Sequence, residues 1–133
     1  MSFARAGRRA AKRCVVTSDL RLWDAVPVSM PLGDVEHFHS RREAKRWIEL
    51  TLLERAGAIR DLRRQQRFDL HCCLGAGCSA ATVTHYTADF VYDEAVGQQW
   101  HPIVEDCKGF REREYLLRRK WMRLEHGIVI RET

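Results

Sequence analysis

Residues 103–110 read IVEDCKGF, and residues 86–93 read YTADFVYD. Both are apolar runs of strand type, each interrupted by acids. Neighbouring side chains on a strand point to opposite faces, so Val104, Asp106 and Lys108 share one face, and Ile103, Glu105 and Cys107 share the other. This sets an acid beside a base in the spacing Asp-x-Lys. Asp89 stands inside the earlier run. Burying a carboxylate there is costly unless a charge or a donor meets it. If the two strands are neighbours and both acids face the same way, Asp89 and Asp106 converge. Two converging carboxylates repel each other until a divalent cation enters. Hard oxygen ligands on a rigid sheet suit Mg2+ or Mn2+.

Working outward, the clearest helix is predicted over residues 40–57. Ser40 followed by Glu43 is a capping-box signature, and Ala44, Trp47, Ile48, Thr51 and Leu52 recur at helical spacing before Gly57. Strands are predicted over 67–74 and 82–93, joined by a small-residue turn at Gly75–Ala81, and a third over 100–108. Helical spacing returns over 111–126, with Leu117, Trp121 and Leu124 as its apolar face and Gly127 as its end. Ile128–Ile130 reads as a short strand. Residues 14–39 carry Pro27, Pro31 and Gly33 and are expected to be irregular, with a helical turn near Ser18–Asp24. The expected class is α/β, with helices flanking a small mixed sheet in the order helix, three strands, helix, strand.

The chain has 133 residues, 45% apolar and 31% charged, which suits one packed domain and excludes a disordered tail. No apolar run is long enough to span a bilayer, and the basic N-terminus lacks the apolar stretch of a secretory signal. Five cysteines without a disulfide framework suggest a reducing, cytoplasmic setting. The net charge of +5 is unevenly spread. Residues 1–13 hold Arg5, Arg8, Arg9, Lys12 and Arg13 and no acid, and read as a mobile basic arm ahead of a single domain over 14–133. Residues 41–67 are strongly basic, 68–107 contain acids but no Lys or Arg, and 108–133 are basic again. Such basic segments point to a polyanion partner.

Helix with an acid, strand, strand with an acid, strand with Asp-x-Lys, helix, strand: this pattern resembles the PD-(D/E)XK nuclease superfamily. More closely, it is similar to the small phage and prophage proteins of that superfamily long catalogued only as a domain of unknown function. The likeness rests on HSRREAKRWIELTLLERAGAIRDLRRQQRFDL (39–70), YTADFVYD (86–93) and IVEDCKGF (103–110), and spans about residues 39–130. It implies a restriction-endonuclease-like αβββαβ core and a Mg2+- or Mn2+-dependent DNA endonuclease, with phage recombination or four-way-junction processing as the setting in a bacterial host or phage. It implies metal ligation by Asp89, Asp106 and the carbonyl of Cys107, with Glu43 contacting the metal directly or through water. Lys108 would act on the attacking water, and Gln65 would stand near the site where a glutamine enters the first strand. Ala88 stands where the superfamily's name has proline, and Gln65-Gln66 where relatives usually show Gln-Pro.

On that reading, Arg5, Arg8 and Arg9 of the arm and Arg41, Arg42, Lys45 and Arg46 beside Glu43 would track DNA phosphates, as would Arg118, Arg119, Lys120 and Arg123 on the second helix. A homodimer is among the expected states, and a membrane partner is not. Two other readings compete: an inert DNA-binding protein on the same fold, and a zinc-stabilised interaction module built on His71, Cys72, Cys73, Cys78 and His85. The Cys-x4-Cys spacing is not that of a common zinc knuckle, and buried thiols with hairpin histidines are the favoured account of the cluster. Trp100 reads as an edge-packing residue, and His37 and His39 as surface histidines.

Overall fold

The computed structural model describes residues 13–26, 35–73, 77 and 79–133. Arg5, Arg8, Arg9, Cys78 and most of the expected arm lie outside them. The chain divides between Glu49 and Leu50 into two compact units.

The first unit holds strands β1 (Arg13–Thr17), β2 (Leu22–Val26) and β3 (Val35–Phe38) in one antiparallel sheet, ordered β2-β1-β3. The irregular chain expected over 14–39 is therefore corrected where it is described. Cys14, Val15 and Val16 supply a buried, partly β-branched strand, and both flanking segments pair with it. In place of a helical turn at Ser18–Asp24 there is a tight turn. The Leu20 amide donates to the Thr17 carbonyl at 2.9 Å, Leu20 takes a positive φ of 62°, and strand resumes at Leu22. Cys14, Val16, Phe38 and Ala44 form the core, with Trp47 and Ile48 packed against it.

Helix α1 (Arg41–Arg55) starts as predicted: the Glu43 amide donates to Ser40 Oγ at 3.1 Å and the Ala44 amide to the Ser40 carbonyl. Gly57, at φ 78°, lets the chain leave the helix in a conformation that costs other residues strain.

The second unit is built on a four-stranded sheet, β4 (Ile59–Cys72), β5 (Ala81–Val96), β6 (Gln99–Asp106) and β7 (Arg131–Glu132), in that order. The first three are antiparallel, and β7 joins β6 in parallel. Helix α2 (Arg113–His126) lies between β6 and β7 in the chain, so the order helix, three strands, helix, strand is observed and the class is α/β. Three details are corrected. Strand β4 begins at Ile59, eight residues before the expected start, because the basic run Arg60–Arg67 pairs along β5 although it lacks apolar alternation. The last strand is Arg131–Glu132; Ile130 is spent on the core instead. The buried side of α2 carries Tyr115 and Met122, with Trp121 partly covered, whereas Leu117 and Leu124 are 61% and 76% exposed. Tyr115, Arg119, Met122 and His126 recur at i, i+4, i+7 and i+11, one continuous helical face. Among the described residues no helix is long and apolar enough to cross a membrane.

Glu132 ties α2 to the sheet. Its Oε1 accepts from Tyr115 Oη at 2.9 Å and from Arg119 Nη1 at 2.5 Å, and Arg111 pairs with Oε2. Burial opposes ionisation of this carboxyl, but the donors and the Arg111 charge outweigh it and hold its pKa below the ordinary value. A depressed folded-state pKa contributes stability above the unfolded value, and the contribution is lost as pH falls through the folded value. Glu132→Gln should lower the melting temperature at pH 7 by roughly 5 °C, about 1 kcal/mol for a unit of this size. Thermal melts should show the gap to wild type closing at acid pH; a gap independent of pH would contradict this role.

Candidate functional site

The register Phe90↔Glu105 and Val91↔Val104 between β5 and β6 sets Asp89 across from Asp106 at the end of the ladder. Regular alternation breaks here. Ala88 and Val91, three residues apart, share one buried cluster, and Phe90, Val91 and Tyr92 are buried in succession. Gln65, which the β4 register sets opposite Asp89, has a positive φ of 50°. A side chain at such a φ carries strain, and strained strand positions re-aim neighbouring groups. Asp89 is aimed along the sheet: its Oδ2 accepts the Cys107 amide at 2.8 Å, and Gln65 Nε2 donates to Oδ1 across a long 3.4 Å. Gln65 lies in the middle of β4 and not at its entrance, because β4 starts earlier than the sequence indicates.

Asp106 is fully buried. Tyr86 Oη donates to its Oδ2 at 2.6 Å, and Lys108 Nζ lies 3.0 Å from its Oδ1. That contact is an ion pair without hydrogen-bond alignment, so among the described residues Oδ1 is a buried acceptor without a hydrogen bond. Burial, followed by the bond to Asp106, pushes the Tyr86 phenol far above its ordinary pKa, and Tyr86 is therefore a neutral donor. Lys108 Nζ also lies 4.9 Å above the Tyr115 ring, a cation–π contact. Burial, and then donation to Glu132, raises the Tyr115 pKa as well. Beside Lys108 and Tyr86 is a cavity of about 220 Å3, reached also by His85, Thr87, Glu112 and Arg118.

Glu105, the neighbour of Asp106, is equally buried on the other face of β6, where Tyr92 Oη donates to it at 2.6 Å. Arg131 reaches the same tyrosine at 3.2 Å and forks onto both oxygens of Glu94 at 3.1 and 2.9 Å. The sequence reading assigned no role to Tyr86, Tyr92 or Tyr115. A signal was present, since a tyrosine on a buried strand face needs a partner for its hydroxyl.

The structure thus brings Gln65 and Asp89, from the middle of β4 and β5, to the end of β6 with Asp106, Cys107 and Lys108. Glu43 belongs to the first unit, where it is buried, and its Oε2 accepts the His39 amide at 3.4 Å. Arg41, Arg42 and Lys45 are exposed on α1, and Arg46 pairs with Glu49 at 2.8 Å. On α2, Arg119 is engaged by Glu132 and Arg118 lies 3.6 Å from Glu114. Trp100 is 39% exposed at the sheet edge, with the Arg60 guanidinium 4.4 Å over its ring.

Among the described residues no three His, Cys, Asp or Glu side chains are arranged as a complete metal cage. The site above offers the carboxylates of Asp89 and Asp106. In the hairpin considered for zinc, His71 Nδ1 lies 2.5 Å from Glu125 Oε1, and its amide donates to Oε2 at 2.9 Å. These two contacts from His71 hold the Glu125 carboxyl below its ordinary pKa.

Residues 32–130 match the family described as "Protein of unknown function (DUF1064)". The chain belongs to this family. The match covers α1, strands β4 to β6 and α2, and so includes every residue of the site. No curated protein and no solved structure matches the chain.

Removing the Lys108 ammonium leaves a buried carboxylate without its counter-charge. Lys108→Ala should cost about 2 kcal/mol, less than a fully enclosed pair because Lys108 is partly exposed. Adding Asp106→Asn should restore most of that loss, since the amide oxygen still accepts from Tyr86. Denaturant titration of both variants checks this; equal losses in the single and double variants would contradict the pairing.

Proposed function

We propose that the protein is a divalent-metal-dependent DNA endonuclease of the PD-(D/E)XK superfamily. One observation carries the reading: a fully buried Asp106 whose Oδ1 has no hydrogen bond among the described residues and lies 3.0 Å from the Lys108 ammonium, set across the ladder from Asp89. A buried carboxylate oxygen without a hydrogen bond is suited to a cation, and the order helix, three strands, helix, strand supports the same assignment.

In this reading Asp89, Asp106 and the Cys107 carbonyl hold Mg2+ or Mn2+, and Glu43 is assigned as the helix acid on the resemblance. The bound ion supplies Lewis-acid polarisation of the phosphate and acidification of water. Lys108 orients the attacking water and offsets negative charge growing on the phosphate oxygens. Gln65 and the Cys107 amide fix the Asp89 carboxylate, so its oxygens need little reorganisation when substrate arrives. Tyr115, beneath the Lys108 ammonium, limits where that cation can go. Arg41, Arg42, Lys45 and Arg46, with Arg5, Arg8 and Arg9 of the basic segment, are assigned to phosphates; such contacts are salt-dependent and largely blind to sequence. Recombination or junction processing in phage is the setting that the resemblance suggests.

The test is a panel of linear, nicked, flap and four-way DNA with Mg2+, Mn2+ or chelator. Wild type should cleave only with metal. Asp89→Ala and Asp106→Ala should abolish cleavage while DNA affinity is kept or rises, since an acid near phosphate has been removed. Lys108→Ala should lose roughly 10²-fold or more in single-turnover rate, and Lys108→Arg should not recover it, because a planar guanidinium cannot reproduce a compact ammonium. Binding without cleavage by wild type in either metal would leave an inert DNA-binding protein; near wild-type cleavage by Asp106→Ala would remove the site assignment.

A further inference from the structure

We infer that Tyr86 is a positioning residue for the metal-binding carboxylate: by holding Oδ2 of Asp106, it reserves Oδ1 for the cation. The inference rests on the reading of Asp106 as a ligand. A buried carboxylate with one cation beside it tends to turn both oxygens toward that charge. Here the turn would close both oxygens of Asp106 onto Lys108 and move Oδ1 from its present direction. The Tyr86 hydroxyl, 2.6 Å from Oδ2, opposes that rotation. Tyr86 is itself held firmly: it is 4% exposed, belongs to the core cluster with Leu70 and Ala88, and stacks on Phe68 at a centroid distance of 6.4 Å. Asp106 is thus clamped from two sides, by a neutral donor on one oxygen and an ammonium on the other. Partners of ligating groups orient them and tune their affinity for the ion.

The sheet carries its own control. Tyr92, six residues further along β5, makes a bond of the same 2.6 Å length to Glu105, the residue next to Asp106 but on the opposite face. Losing the Tyr86 hydroxyl removes its bond to Asp106, and losing the Tyr92 hydroxyl removes its bond to Glu105 together with the one it accepts from Arg131, but only the Tyr86 bond touches the proposed ligand.

Mn2+ binding to the full chain, followed by electron paramagnetic resonance, separates the two roles. Tyr86→Phe should weaken Mn2+ roughly 10- to 100-fold, whereas Tyr92→Phe should lower thermal stability at least as much as Tyr86→Phe does and leave Mn2+ affinity unchanged. With DNA present, the metal concentration for half-maximal cleavage should rise in Tyr86→Phe, while the rate at saturating Mn2+ returns toward wild type. Equal Mn2+ affinity in Tyr86→Phe and wild type would overturn the positioning role and leave the endonuclease reading intact. Equal loss in Tyr92→Phe would also overturn it, as general loosening of β6. A wild type that binds no Mn2+ would overturn both. A second measurement leaves every tyrosine in place: 3-fluorotyrosine inserted at 86 or at 92 should show a fluorine shift on Mg2+ addition at 86 only. A shift of equal size at 92 counts against the role.

Discussion

Two consecutive carboxylates, Glu105 and Asp106, are fully buried at the end of β6, and the second unit is organised around satisfying them. Consecutive strand residues face opposite ways, so no single partner can serve both. Strand β5 answers with a tyrosine for each, Tyr92 for Glu105 and Tyr86 for Asp106. Beyond the tyrosines the two faces diverge. On the Glu105 side, Arg131 of β7 bonds Tyr92 and Glu94, so a short two-residue strand is fixed to the sheet by charge as well as by backbone. On the Asp106 side, Lys108 supplies the charge from the chain just past the strand, and α2 places Tyr115 beneath it. The cost of burying a charge is met twice within two residues, once as structure and once as the candidate site.

The acidic block 68–107 can be followed acid by acid. Asp69 pairs with Arg67 on its own strand and Asp93 with Arg60 across the ladder. Glu94 takes Arg131, Glu105 takes Tyr92, and Asp106 takes Tyr86 and Lys108. Asp89 accepts from a backbone amide, that of Cys107, and from the side-chain amide of Gln65. The basic residues of β4 and β7 are thus partly consumed inside the sheet. The surface left for a polyanion is smaller than the net charge suggests, and the exposed bases at the start of α1 weigh correspondingly more in it.

The elements legible in the sequence were those whose own residues carry the signal. The capping box at Ser40 and Glu43, the glycines at 57 and 127, and the face shared by Val104, Asp106 and Lys108 could all be read from spacing alone. Strand β4 could not: Arg60–Arg67 forms a strand because β5 lies beside it, and pairing across some 30 residues leaves no local trace. Leu117 and Leu124 misled because helical spacing fits two faces of α2, and only the fold shows that Tyr115 and Met122 face inward. At the site, spacing singled out Asp89 and Asp106, but not the tyrosines that hold Glu105 and Asp106, since those hydroxyl partners lie 13 and 20 residues away in sequence.

The proposed endonuclease requires Asp89 and Asp106 to share one divalent cation. Fe2+ loaded in place of Mg2+, with ascorbate and peroxide, cuts the backbone beside the bound ion, and sequencing the fragments locates it. The account predicts scission of the full chain around Asp89 and around Asp106–Lys108, suppressed by excess Mg2+. Scission at His71–Cys73 instead, or at the two carboxylates but indifferent to Mg2+, would contradict it.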